Sequence, residues 1–526
     1  MFSAPPEMEL QLLESGVLNG GLVSQFDPKN IEPNQLVQAT NVDTRDDRTQ
    51  RSFGFTLFTP AKPNSNKVLQ LVPYNEFNGT VRLVRFTRNS LHLWSAGSWT
   101  AITGAALSGT DQSMIGAVEF NNRFFFGNQV DALQEINFVG PTYAAAGNAP
   151  KFKYWCSFAN RIIGASLYHA TTPNPILVGW SGDLNPTEWN NLVDISAGST
   201  PLIDQPRDFS DELTGVFAFS DLMVLPREHT IWVATRQPSA TSPFYFYVEV
   251  KTLGCDSPQS ITPIPNGLIF YSKRFNNVYV YTIGNPTPLA IADSIRDELA
   301  AAIANNADGA QGITSCYDSK KFEYILAIPI GTSTEVLQYK FNLQTKGWTK
   351  NTVQNVSFVD LVEFTAQASM IDDLVGTIDQ LVGTIDELSP NTPDTRLFYG
   401  LTDGDLLIDS PSVDTVNGVA RETVIESKEI QVPFNVTFVT ELHLDVLAVI
   451  ASTFSVYFSK DGGVTYNLYK TVTISGPDMN KRKRLTFKKN IRCEQFRWKL
   501  TSSSGLFNVY RFDVYHYPYG VHHRAD

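Results

Sequence analysis

From residue 67 onward, apolar and polar positions alternate in short runs, and clusters of Asn, Gly and Ser separate one run from the next. "VLQLVPYNEFNGTVRLVRFTRNSLHLWSAGSWTAI" reads as three or four strands with Asn-Gly, Asn-Ser and Ala-Gly-Ser turns. Period-two alternation bounded by such turns predicts half-buried strands joined as hairpins. The plan returns in "MIGAVEFNNRFFFGNQVDALQEINF" and "WCSFANRIIGASLYHATTPNPILVGWSGDLNPTEW", where Asn122-Arg123 and Asn160-Arg161 occupy matching turns. Further variants run on to "RLFYGLTDGDLLI" near residue 408.

Each unit is a meander of about four strands that cannot bury both of its faces alone. Stacking such units around an axis buries them, which predicts an all-β, irregular β-propeller of about six to eight blades over residues 61–424. A pile of β-sandwiches would also use the strands; the recurring Phe-Xaa-Asn-Arg turn unit favours the propeller. Two segments fall outside the pattern. Residues 1–60 contain a polar extended run and are expected to form an N-terminal arm with the first strands. Residues 425–526 alternate with period two and carry a Gly-Gly hairpin turn, so they predict a C-terminal β-sandwich.

One stretch, "IDDLVGTIDQLVGTIDEL" at 371–388, repeats every seven residues, with Ile371, Ile378 and Ile385 each followed by aspartate. It has fewer heptads than the three or four a coiled coil needs. Gly376 and Gly383 would each cost a helix about 1 kcal/mol, and Pro390 and Pro393 end the pattern. The repeat therefore reads as an insertion of short Asp-capped turns between strands of the propeller.

Composition agrees with sheets: the 526 residues are 12% aromatic and only 18% charged. The net charge of −12 argues against a general nucleic-acid binder and suits a wall that repels a phosphate backbone. Cys156, Cys255, Cys316 and Cys493 form no CxxC pair and read as buried free thiols. No signal peptide is evident, and no apolar run reaches the ~18 residues of a membrane span. The expectation is a soluble chain made in a reducing cytoplasm.

Chemistry is sparse. No P-loop, GxSxG, HExxH, EF-hand or Rossmann motif occurs, so no enzyme, catalytic residue, cofactor or metal is expected. "SKDGGVTY", Ser459 to Tyr466, is similar to the Asp box of sialidases, but that box is itself a hairpin brace. Lys481, Arg482, Lys483, Arg484, Lys488, Lys489 and Arg492 form the one strong basic cluster. It reads either as the charged face of an edge strand or as a contact for an acidic partner protein or anionic envelope sugars. Arg45, Asp46, Asp47, Arg48 and Arg51 alternate in sign along the N-terminal run and are expected to serve as an assembly arm.

Four stretches together resemble one family. "NGGLVSQFDP" through "RSFGF" supplies Gly20-Gly21, Asn41-Val42, Arg51 and Gly54; "FANRIIGAS" leads to Trp180, Ser181 and Asp183. "AFSDLMVLPREHTIWVA" with "TLGCDSPQSITPIPNGLIFYSKRFNNVYVY" and the Asp-Leu repeat complete the set, covering about residues 18–400. In this order they are similar to the nozzle, or tail tubular B-type, proteins of short-tailed bacteriophages and related phage stabilisation proteins. The resemblance implies a structural virion protein of the phage tail, synthesised in the host cytoplasm and forming a hexameric ring below the portal and adaptor. It also implies a lining for the DNA ejection channel, with the head-tail connector, tail fibres or needle proteins as partners and double-stranded DNA passing without specific binding. The competing reading is a carbohydrate-binding or glycosidase-type propeller acting as a receptor-binding tail protein.

Overall fold

A computed structural model describes residues 10–518 apart from 60, 78, 96, 169–171, 205–209, 307–311, 331–333, 366–392 and 433–435. Among the described residues, seven four-stranded antiparallel meanders follow one another along the chain. The first six begin at Val68, Gly116, Phe152, Phe217, Thr262 and Thr314 and take their strands in sequence order. The seventh combines Val356–Thr365, Pro393–Leu401 and Leu406–Ser410 with a strand from far upstream, Gly54–Leu57.

Asparagine builds the hairpins that the sequence marks. Asn121 and Asn122 adopt φ of 48° and 57°, and Asn160 adopts 62°, the left-handed geometry that a two-residue hairpin requires. These turns join the first and second strands of blades 2 and 3. Between blades the packing is aromatic and aliphatic. Tyr74 and Phe86 of blade 1 meet Phe124 and Phe126 of blade 2, and Phe158 and Trp180 of blade 3 share a cluster with Trp232 and Phe244 of blade 4. Val68 and Leu83 of blade 1 pack with Phe358 and Phe398 of blade 7, so the ring is closed. The protein is a β-propeller of seven blades, within the expected range.

The sandwich is larger than residues 425–526. One of its sheets runs in the order Lys483–Ile491, Val436–Ala448, Phe507–Pro518, Arg48–Arg51, Val42–Arg45, and Gln11–Val17 also pairs with Phe507–Pro518. The other holds Gln35–Thr40, Thr423–Ser427, Gln495–Ser502, Ser452–Ser459 and Asn467–Ile474, and continues into blade 6 where Thr40 meets Lys350. Between the two sheets lie Leu442, Leu444, Phe454, Val456, Trp498 and Phe512. The same core runs on to Tyr324, Tyr339 and Trp348 of the propeller and to Leu299 of the helix Arg296–Ala304.

This corrects the N-terminal boundary. Residues 10–57 do not form an arm with little to bury: they supply strands to both sandwich sheets and close blade 7. The reason is pairing at long range, Gln38 with Glu426 and Phe55 with Asp409, which a polar-looking local composition does not reveal. The repeat at 371–388 lies outside the described residues, between the first and second strands of blade 7.

Candidate functional site

Because each blade presents its first strand to the ring axis, seven strand edges frame one axial passage. A narrow part of about 290 Å³ draws residues from every blade, among them Gln70, Ala117, Lys153, Thr214, Ser315 and Asp360. A wider mouth of about 640 Å³ opens at the end where the strands begin. Lys67, Gln112, Gln129, Lys153, Gln259 and Asn355 are among the residues that line it, and its walls are more polar than apolar.

Asp360, in the inner strand of blade 7, is the unusual carboxyl of the passage. Burial pushes its pKa up to about 7, against the pull of the Leu361 N–H that it accepts at 2.8 Å. It also bears on the neighbouring Cys316, whose thiol burial pushes well above the usual range, so that thiol is inert as a nucleophile. Two of the four cysteines, Cys255 and Cys316, are buried; Cys156 and Cys493 are half-buried, and all four are free. Among the described residues no group of His, Cys, Asp and Glu could hold a metal ion, and no helix is long and apolar enough to cross a membrane.

The residues singled out in the sequence sit away from the axis. Arg45 pairs with Glu323 of blade 6 and with Asp43. Arg51 is wholly buried and donates from Nη2 to the Arg421 carbonyl at 2.8 Å. Asp47 and Arg48 pair with each other at 2.8 Å at the exposed hairpin tip, and Asp46 adjoins them there, its carbonyl accepting from Asn19 Nδ2. The proposed arm thus divides into two structural arginines and an exposed tip.

The basic cluster lies on and beside Lys483–Ile491, an outermost strand of its sheet. Arg484 bridges Asp445 at 3.0 Å and Asp513 at 2.5 Å; Arg482 reaches Asp445 at 3.2 Å. Lys483 pairs with Asp478 and Lys488 with Glu441, while Lys489 covers the Phe458 ring. No ion pair is found for Lys481 or Arg492 among the described residues. Most of the positive charge is therefore balanced within the chain.

The Asp-box-like turn is a hairpin brace. Asp461 accepts from Ser459 Oγ at 2.6 Å, from the Thr465 N–H at 2.9 Å and from Thr465 Oγ1 at 2.5 Å, which hold its pKa down to about 2. Lys67, Lys153 and Asp360 escaped the sequence reading. Lys153 and Asp360 lie in ordinary strands of blades 3 and 7 and Lys67 just before blade 1, and only closure of the ring brings them to one axis.

The sequence matches no protein-family model, and no curated protein matches it. Similar solved structures include BamB from Moraxella catarrhalis, at 9% identity and TM-score 0.37 over 76% of this chain and 99% of that one. A second is BBS1N in complex with ARL6DN, at 8% identity and TM-score 0.37 over 68% of this chain and 98% of that one. The strand order of the seven sheets carries the fold assignment independently of these likenesses.

Proposed function

We propose that the chain is a structural component of a short-tailed phage tail, one copy of a hexameric ring below the portal and adaptor that lines the path of the exiting DNA. The observation that supports this most is where the N-terminal motif sits. Gly21 runs so close to blade 6 that a Cβ there would stand 2.5 Å from the Trp348 carbonyl. Asn41, at φ 55°, donates to the Glu422 carbonyl at 2.7 Å, and its backbone N–H donates to the Lys350 carbonyl at 2.8 Å. Arg51 joins the two sandwich sheets to each other through the carbonyls of residues 421 and 503. The motif residues fix propeller and sandwich as one body, the construction expected of a subunit that transmits force rather than turns over a substrate.

The acidic balance of the chain fits a duplex passing alongside it, since fixed negative charge repels DNA over roughly 8 Å at physiological salt. Electron microscopy of the purified protein, alone and with portal and adaptor, tests the reading. Six-fold rings with an open lumen are expected. A protein that stays monomeric with and without its docking partners, or that turns over envelope glycans, would overturn it in favour of a carbohydrate-active propeller.

A further inference from the structure

We propose that the wide mouth of the propeller axis binds a small hydroxylated oxyanion, either a sugar acid or a sugar phosphate. Two lysines from different blades line this cavity: Lys67 just before blade 1 and Lys153 in the inner strand of blade 3. Among the described residues neither has a hydrogen-bond or ion-pair partner, and Lys153 only overlies the ring of its neighbour Tyr154 at 5.4 Å. The carboxylate that lines the mouth among the described residues, Asp111, stands 3.7 Å from Arg88. Glu212 and Glu228 of blade 4 favour the charged form of Lys153 from a distance, yet neither lines the cavity. Burial still pulls the Lys153 ammonium below its ordinary range. Positive charge that no described residue pairs directly, held in a recess of a chain with net charge −12, is an arrangement that an oxyanion completes.

The rest of the wall selects among oxyanions. Gln112, Gln129, Gln259, Asn355 and Thr334 offer paired donors and acceptors, which match hydroxyl groups. No aromatic ring lines the mouth among the described residues, so a nucleobase would find no stacking surface. A volume of about 640 Å³ lies within the usual range of small-ligand sites and exceeds what inorganic phosphate alone would fill. The inference stands apart from ring formation, which is read by imaging.

Calorimetric titration of the full chain tests it, with trigalacturonate, glucose 6-phosphate, inorganic phosphate and maltotriose as probes at low salt. Saturable binding of trigalacturonate, glucose 6-phosphate or both is expected, and none of neutral maltotriose. Trigalacturonate alone would mark a polysaccharide source, and glucose 6-phosphate alone a phosphorylated metabolite. Lys153→Gln and Lys67→Gln should each weaken binding about tenfold, the loss of one charge-assisted hydrogen bond. Lys67 lies outside the strand, so its variant keeps the test decisive if Lys153→Gln does not fold. Absence of saturable binding by both charged sugars would overturn the proposal. So would equal affinity in folded Lys67→Gln, or inorganic phosphate binding as tightly as the sugars.

Discussion

Lys340 Nζ lies 2.9 Å from Asp43 Oδ1, joining blade 6 to the N-terminal hairpin across 297 residues of sequence. Both side chains are buried, and Asp43 also accepts from Ser52 Oγ at 2.6 Å and stands 3.8 Å from Arg45. Burial alone would disfavour the Asp43 charge, but Lys340 and Arg45 overcome it and hold the carboxyl well below the usual range.

Breaking this pair should cost about 3–5 kcal/mol, because one partner is left as an uncompensated buried charge. Lys340→Met and Asp43→Ala are each expected to lower the denaturation midpoint, with Arg45 losing a partner in the second. The Asp43 contribution is present above the unfolded pKa of about 3.9 and is lost as pH falls toward the lower folded value. Chemical denaturation of wild type and Asp43→Ala at pH 7 and pH 3 checks this: the gap between them should shrink at the lower pH.

Asp360 carries the opposite sign. Its folded pKa of about 7 lies above the unfolded one, so the folded state takes up a proton. That contribution is full below about pH 4 and disappears as pH rises toward 7, amounting to a few kcal/mol at most. Asp360→Asn should therefore be more stable than wild type at pH 8 and no more stable at pH 4. Equal midpoints at pH 8 would show that the carboxyl ionises without penalty.

Removing residues 1–57 should abolish the fold rather than merely undock the protein. The deletion takes buried Leu36, Val42 and Phe55, strands from both sandwich sheets, and the fourth strand of blade 7. Circular dichroism of the truncated chain is expected to show no cooperative transition, and recovery of a soluble protein with the wild-type midpoint would refute it.

Asp461→Ala should act locally. The lost acceptor frees the Thr465 N–H and hydroxyl in an exposed hairpin whose strands remain paired through Ser455–Thr471 and Thr453–Thr473. Hydrogen exchange at Thr465 should accelerate while the global midpoint stays nearly unchanged.

Duplex DNA should bind negligibly in near-physiological salt. Arg482, Arg484, Lys483 and Lys488 already face Asp445, Asp513, Asp478 and Glu441, so few counterions would be released on contact. Fluorescence anisotropy with a labelled duplex measures this. A salt-sensitive micromolar affinity, lost on neutralising Lys481 to Arg484, would give the edge strand a nucleic-acid role instead.

Alternation and turn chemistry, which act over a few residues, made much of this protein legible from sequence. The Phe-Asn-Asn-Arg and Phe-Ala-Asn-Arg hairpins, the meandering blades, the Asp461 brace and the strands after residue 436 all follow from local pattern, because a strand's two faces and a left-handed turn leave their mark in adjacent residues. Tertiary structure alone decided the rest. Seven blades close because Gly54–Leu57 pairs with Leu406–Ser410, and the sandwich reaches its full width because Arg48–Arg51 joins Phe507–Pro518. The axial cavity gathers Lys67, Lys153 and Asp360 from blades 1, 3 and 7. Those relationships span hundreds of residues, and backbone hydrogen bonding at such range is indifferent to side-chain identity. No local pattern encodes it; burial of the shared core selects it.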